Sequence, residues 1–231
     1  MALDVILGID DPRLLLGIVE ITGGTLRESS VELQQACSEL ATQVCAEDFS
    51  LDEGRRSSVR KVLKLAGFSA TGRNKPAQEF LLADVRERGA FNLINNCVDV
   101  NNYVSLKHCL PISILDAGKL DGRLTVRIAN EGEGYVFNNA GHLIDMKKSI
   151  CLCRGAGDGE PTGGPVKDSM ATKIFEGATD YIAVLYASTE GFSRDDVQAA
   201  VDEMATLLAR ETGGTVVRQQ VLPGQGIGAG L

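Results

Sequence analysis

Residues 98–112 read VDVNNYVSLKHCLPI, and the fold turns on this stretch. The run from Asn95 to Leu110 predicts a helix, or a strand passing into one, and Pro111 ends it because a proline has no backbone N–H to continue the ladder. Downstream, Leu124–Ala129 (LTVRIA), Gly134–Phe137 and Ile150–Cys153 read as strands, 155–165 (GAGDGEPTGGP) as a flexible loop beside a cleft, and Ile182–Ala187 (IAVLYA) as a strong strand. Ser193–Glu211 reads as an amphipathic helix, with Ser193 as N-cap, Asp195 and Asp196 in its first turn, and Gly213 and Gly214 stopping it. Thr215–Leu222 follows as a last strand, and the glycine-rich 223–231 as a flexible tail. Upstream lie a buried strand, Leu14–Thr22 (LLLGIVEIT), and helices over 28–45 and 52–66, with a third opened by Pro76 and running to about Arg88. The pattern predicts an α/β (α+β) fold, a mixed β-sheet with flanking helices in a single domain over 1–231. Its parts are a helical and strand half at 1–91, a core at 92–188, and a closing helix and strand at 189–222.

Composition narrows the function. The chain has 231 residues, 44% hydrophobic and 23% charged, which suffices for a sizeable core. Aromatics are only 5% with no Trp, which argues against an aromatic stacking platform for single-stranded nucleic acid. A net charge of −8 excludes a general binder of phosphate backbones, DNA included, and the acidic excess is spread over the whole chain. The most apolar early run, Leu14–Val19, falls far short of the ~20 residues that span a bilayer, and the acidic start MALDVILGIDD lacks the basic flank of a secretory signal. A cytoplasmic protein with no membrane partner is expected, and its six cysteines are expected as reduced thiols. Cys151 and Cys153 share one face of a strand, but the spacing of structural zinc is missing, so neither metal nor cofactor is expected.

Several catalytic motifs fail on inspection. Gly155–Gly164 lacks the Gly-Lys-Ser/Thr ending of a phosphate loop and the strand–glycine–helix context of a dinucleotide site. Ser169 is followed three residues later by Thr172, so Lys173 comes one position late for a Ser-x-x-Lys pair. Only His108 and His142 are available for a triad, and neither accompanies a nucleophile elbow. The best basic cluster is Arg56, Arg60 and Lys64, at helical spacing on one side, which fits either a solvated face or a phosphate contact.

Residues 92–188 carry a resemblance. VDVNNYVSLKHCLPI, then Asp116, Lys119-Leu120-Asp121-Gly122, Val126-Arg127, Gly132-Glu133 and the later Lys167-Asp168-Ser169-Met170-Ala171-Thr172-Lys173-Ile174 stand in an order that resembles the B3/B4 domain of the bacterial phenylalanyl-tRNA synthetase β subunit. The freestanding B3/B4-domain proteins are closer still. The resemblance covers about 100 residues and implies a freestanding deacylase that hydrolyses the ester of mischarged aminoacyl-tRNA in trans, with tRNA as partner. An aminoacyl ester is already activated, so a positioned water, a pocket and oxyanion donors suffice. It further implies Asn102, Asp168 and Ser169 as catalytic residues, and Asn101, Ser113, Lys167, Thr172 and Gly164 as substrate-binding ones. Arg56, Arg60 and Lys64 are the expected tRNA contacts. The bland readings are an Asn101–Asn102 helix cap or turn, Ser113 as a turn residue, an Asp168–Ser169 loop cap and a solvated Lys167. Ser113 stands where the synthetase has histidine, and Val184 near its glutamate, so tyrosine discrimination is not implied. A module that holds an amino-acid-like ligand without turnover, or an interaction protein, is the alternative.

Overall fold

The computed structural model describes residues 2–155 and 158–224, apart from the Arg73 side chain. Strands β1 (Asp4–Leu7) and β2 (Leu14–Thr22) come first, then helices α1 (Val31–Cys45), α2 (Glu53–Leu63), α3 (Ala77–Arg88) and α4 (Asn96–His108). There follow β3 (Ile112–Asp116), β4 (Arg123–Ile128), β5 (Gly134–Val136), β6 (Leu143–Asp145), β7 (Ile150–Arg154), β8 (Glu160–Gly163) and β9 (Tyr181–Ser188). Helix α5 (Arg194–Thr212) and β10 (Thr215–Pro223) close the described chain.

The architecture is mixed α+β. One antiparallel sheet runs β10-β2-β9-β3, and a second runs β1-β4-β7-β8 with β1 parallel to β4. A hairpin of β5 and β6 stands apart. All eight residues of β9 are buried, and all but the last of β2, which explains why both read as continuous apolar runs rather than alternating ones. Helices α1, α2 and α4 start on a side-chain cap, where Ser30 accepts from Leu33 N, Asp52 from Arg55 N, and Asn95 from Val98 N, whereas α3 starts after Pro76 without one. Ser193 and Asp196 form a reciprocal capping box on α5, and Gly213, at φ 72°, ends it in the left-handed conformation.

The structure corrects four readings. The helices expected over 28–45 and 52–66 begin at Val31 and Glu53, and the second ends at Leu63. The stretch read as a loop at 155–165 holds β8, because Glu160 and Pro161 pair with Arg154 and Cys153, while Arg127 donates to the carbonyls of Asp158 and Gly159. Residues 156 and 157 lie outside the described set. The tail does not begin at residue 223: Pro223 ends β10, and Gly224 exchanges backbone hydrogen bonds with Asp11 and Leu14. The remaining tail, 225–231, lies outside the described residues. Strands β1, β3 and β6 were not read from the sequence. Among the described residues, no helix is long and apolar enough to cross a membrane, and no group of three or more His, Cys, Asp or Glu is placed to hold a metal ion.

Candidate functional site

Helix α4 forms one wall of a cleft of about 640 Å³. Asn95, Val98, Asn101 and Asn102 line it from the helix, Lys167 and Asp168 from the segment after β8, and Lys173, Ile174, Phe175 and Glu176 from the connection into β9. Phe137 and Asn138, past the end of β5, and Ile114 on β3 complete it together with Ile94. Six of these side chains are aliphatic or aromatic, so the cleft suits an apolar group with a few polar anchors.

Two buried polar residues fix the helix. The Asn96 amide, fully buried, donates to the carbonyls of Thr25 (3.0 Å) and Glu211 (2.8 Å) and accepts from Arg27 N at 3.2 Å. Asp99 accepts from Ser29 Oγ at 2.6 Å and from Ile94 N at 2.8 Å, and burial holds its carboxyl above the ordinary carboxylate range. Together they bind the helix start to the segment before α1 and, through Asn96, to α5, which sets where Asn101 and Asn102 stand. Sequence reading missed these two anchors, although Asp99 lies inside the quoted motif.

Asn101 is 8% exposed, and its Nδ2 donates to Asn102 Oδ1 at 3.3 Å. Asn101 Oδ1 has no hydrogen-bond partner, and among the described residues none accepts from Asn102 Nδ2. Neither residue is the helix cap, a role that Asn95 takes. On the opposite wall, Asp168 Oδ1 accepts from Gly164 N and Oδ2 from Ile114 N, both at 3.3 Å. Burial pushes the Asp168 carboxyl up to about 6, against the pull of the Ser113 hydroxyl, the two backbone amides and the charge of Lys173. The paired glycines before it are required by close approach: a Cβ on Gly163 would lie 2.7 Å from Asp168 Oδ1, and one on Gly164 would lie 2.9 Å from Ile150 O.

The expected site residues therefore divide. Asn101, Asn102, Lys167 and Asp168 come together on one cleft. Ser169 and Thr172, expected to converge there, do not line it. Buried Ser169 accepts from Ala171 N at 3.1 Å, and Thr172 donates to Thr162 O at 3.0 Å and accepts from Thr162 Oγ1 at 2.7 Å. Those bonds build the turn that carries Asp168, the loop role held open for Ser169 in the sequence. Ser113 and Gly164 also lie behind the wall: Ser113 is fully buried, donates to Gly164 O at 3.1 Å and shares a hydrogen bond with Tyr186. Val184 is its register partner across the sheet, equally buried. Lys167 sits with Nζ 3.8 Å from the centre of the Phe137 ring and 5.4 Å from that of Phe80, which is cation–π geometry. Phe137, Asn138 and Lys167 also border a neighbouring cavity of about 550 Å³ that includes His142 and Asn74.

The basic row on α2 is not a free positive face. Arg60 makes a two-pronged ion pair with Glu79, Arg56 pairs with Glu53 at 2.9 Å and reaches Glu79 at 3.6 Å, and Lys64 is exposed at the helix end. None of the three lines the cleft. Lys173, which donates to Phe137 O at 3.0 Å, is the cleft cation that sequence reading did not single out. The six cysteines are free thiols, with Cys151 and Cys153 Sγ 3.4 Å apart on β7. His108 is engaged with Glu203 at 2.7 Å, outside the cleft.

Comparison with known proteins follows the same stretch. A family model described as the B3/4 domain matches residues 66–213. The chain is similar to phenylalanine–tRNA ligase beta subunits from Nocardia farcinica (30% identical over 146 residues, 53% of this chain and 17% of that protein) and Rhodopseudomonas palustris (31% over 80 residues, 35% and 10%). The Staphylococcus aureus subunit is 26% identical over 153 residues, 57% of this chain and 19% of that protein. The chain thus spans a fifth or less of the length of these curated relatives. Among solved structures, an N-terminal fragment of the phenylalanyl-tRNA synthetase beta subunit from Pyrococcus horikoshii aligns with a TM-score of 0.44 at 12% identity, over 96% of this chain and 54% of that one. The family match takes in all the cleft-lining residues and more than half of the sequence, and on that ground the chain belongs to the B3/4 domain family.

Proposed function

We propose that the cleft hydrolyses the ester bond of aminoacyl-tRNA, so that the chain acts in trans as a deacylase of mischarged tRNA. The observation that carries this reading is an apolar cleft that presents an unengaged amide donor, Asn102 Nδ2, opposite a fixed carboxylate, Asp168, in a chain whose relatives are subunits of a tRNA ligase. Water attacks the carbonyl carbon, Asn102 donates to the oxygen as negative charge grows on it, and the bond to the ribose oxygen breaks with that oxygen taking up a proton. Asp168 anchors the aminoacyl group, and Ser169 and Thr172 act as positioning residues beneath it. The test is a deacylation screen of the chain against a panel of mischarged tRNAs, with the aliphatic and aromatic amino acids weighted by the cleft lining. Accelerated loss of at least one ester is expected. Hydrolysis of none, with retained binding of an aminoacyl analogue, favours the ligand-binding module, a reading supported by the net charge of −8 and the ion-paired Arg56 and Arg60.

Two further results are expected. Lys173→Glu raises the KM for aminoacyl-tRNA about threefold to tenfold and flattens the salt dependence by ~0.7 in log–log slope, the share of one phosphate contact. Arg60→Glu has the smaller effect on KM, because that guanidinium already holds Glu79. An equal or larger effect of Arg60→Glu would return the tRNA contact to α2.

The second concerns pH. Because burial disfavours its charged form, Asp168 becomes a carboxylate only above about 6. The kcat/KM profile should therefore rise through that region, and Asp168→Asn should remove the limb. Lys167, Lys173 and Glu176 face the same cleft, and the buried phenols of Tyr135 and Tyr186, held far above their ordinary value, stay protonated throughout. For stability the sign is opposite: the folded state binds this proton more tightly than the unfolded chain, so the ionised carboxylate burdens the fold above about 6 and the burden fades as pH falls toward 3.8. A flat profile between pH 5 and 7 would remove Asp168 from the rate law.

A further inference from the structure

The hydrogen-bonding capacity left open in the cleft is uneven, and the hydrolytic step uses only part of it. Asn101 is 92% buried by its 8% exposure, and its Oδ1 finds no donor, an arrangement that is unfavourable until a ligand or water supplies one. Asp168 on the facing wall is a second acceptor: backbone amides take one position on each oxygen at 3.3 Å, and a carboxylate has about four. Next to Asn101, Asn102 Nδ2 is a donor with no protein acceptor among the described residues. The cleft thus offers acceptors for a cation and, one residue along the helix, a donor for an oxygen.

An α-amino ester carries the complement. Its ammonium has three N–H donors and a positive charge, and the carbonyl oxygen lies two bonds beyond the α-carbon. Acylation of that nitrogen removes the charge, leaves a single N–H, and adds bulk. We propose that the cleft recognises the free α-ammonium of an aminoacyl group through Asn101 Oδ1 and the Asp168 carboxylate, with Asn102 Nδ2 on the adjacent carbonyl oxygen, and so discriminates against N-acylated amino acids. Lys173 is tethered to Phe137 O at 3.0 Å, Lys167 is held against the Phe137 ring, and Glu176 adds a further negative group to the cleft lining. The proposal rests on the reading of the cleft as an aminoacyl site, but it does not depend on turnover.

The test is calorimetric binding of 3′-deoxy-3′-(aminoacylamino)adenosines, in which an amide replaces the labile ester, bearing leucine, valine, methionine or phenylalanine. Each is compared with its N-acetyl derivative. The free amine should bind at least tenfold more tightly for one or more of the four, since a charge-assisted contact is worth about tenfold to a hundredfold. Asp168→Asn should bring the ratio close to one. Asn101→Ser, a second variant in case the first disturbs the fold, should lower it at least threefold while the N-acetyl compound binds as before. Equal binding of free and acetylated forms overturns the inference, as does binding by none of the four, or a ratio that survives in both folded variants. The same preparations are assayed on mischarged tRNA. Deacylation with a ratio of one leaves the deacylase reading standing and removes only the ammonium assignment. A high ratio without deacylation does the reverse.

Discussion

Replacing Asn102 with alanine is expected to lower kcat about a hundredfold, both on a mischarged tRNA and on a short aminoacyl-ester mimic. The size follows from what removal of one preorganised oxyanion donor costs in acyl transfer, on the order of 10²–10³. The expectation is specific to this amide, because its Oδ1 is occupied by Asn101 Nδ2 at 3.3 Å while its Nδ2 is unclaimed and the residue lines the cleft. Asn102→Asp is the sharper variant: it keeps the shape and loses the donor, so it should lose at least as much as alanine. Both substrates should suffer alike, since the defect lies in chemistry rather than in holding the tRNA, and KM should move little. Asn102 is half-buried near the middle of α4, so far-ultraviolet circular dichroism and the unfolding midpoint should change little. Turnover within threefold of the parent in both variants would remove Asn102 from the reaction and with it the present assignment of the site.

The largest stability effect is expected at Asp99. This side chain is 2% exposed and satisfies Ser29 Oγ at 2.6 Å and Ile94 N at 2.8 Å. Asp99→Ala leaves the buried Ser29 hydroxyl without its partner, at a cost of about 1–3 kcal/mol, and takes the acceptor from the amide of the exposed residue Ile94, so a loss of about 2 kcal/mol is expected in urea unfolding. Asp99→Asn retains one acceptor and should lose roughly half as much. Ile94 and Asn95 line the cleft, so binding of an aminoacyl analogue should weaken in both variants in the same order. A change below about 0.5 kcal/mol in Asp99→Ala would mean that water replaces the carboxylate and that the start of α4 is held by Asn96 alone.

How much of this could be read from the chain is uneven, for reasons that particular residues make plain. The central strands β2 and β9 were legible because burial on both faces makes LLLGIVEIT and IAVLYA continuous apolar runs. Helix α5 was legible because Ser193, Asp196 and Gly213 are local signals whose partners lie within a few residues. Strand β8 was not, because glycines and a proline make EPTG look like a turn, and its pairing with β7 is a contact between segments. The basic row Arg56, Arg60 and Lys64 was legible as a row. Its neutralisation was not, because Glu79 arrives from a different helix.

The sequence by itself determined the helices, the central strands, the mixed α+β class and the two segments that carry the cleft, since periodicity, caps and ordered motifs are properties of neighbours along the chain. It also named Asn101, Asn102, Lys167 and Asp168. Only the tertiary structure decided that these four share a cleft, whereas Ser169, Thr172, Ser113 and Gly164 lie behind its wall. Within Asp168-Ser169-Met170-Ala171-Thr172, one polar side chain faces the ligand space and two hold the turn, and no spacing rule separates those roles. The separation comes from Thr162 on β8, Gly164 just after it and Ile114 on β3, which claim the nearby hydrogen bonds from 4 to 54 residues away. Burial and partner choice are set by which segments meet, and that is a property of the packed chain rather than of the motif.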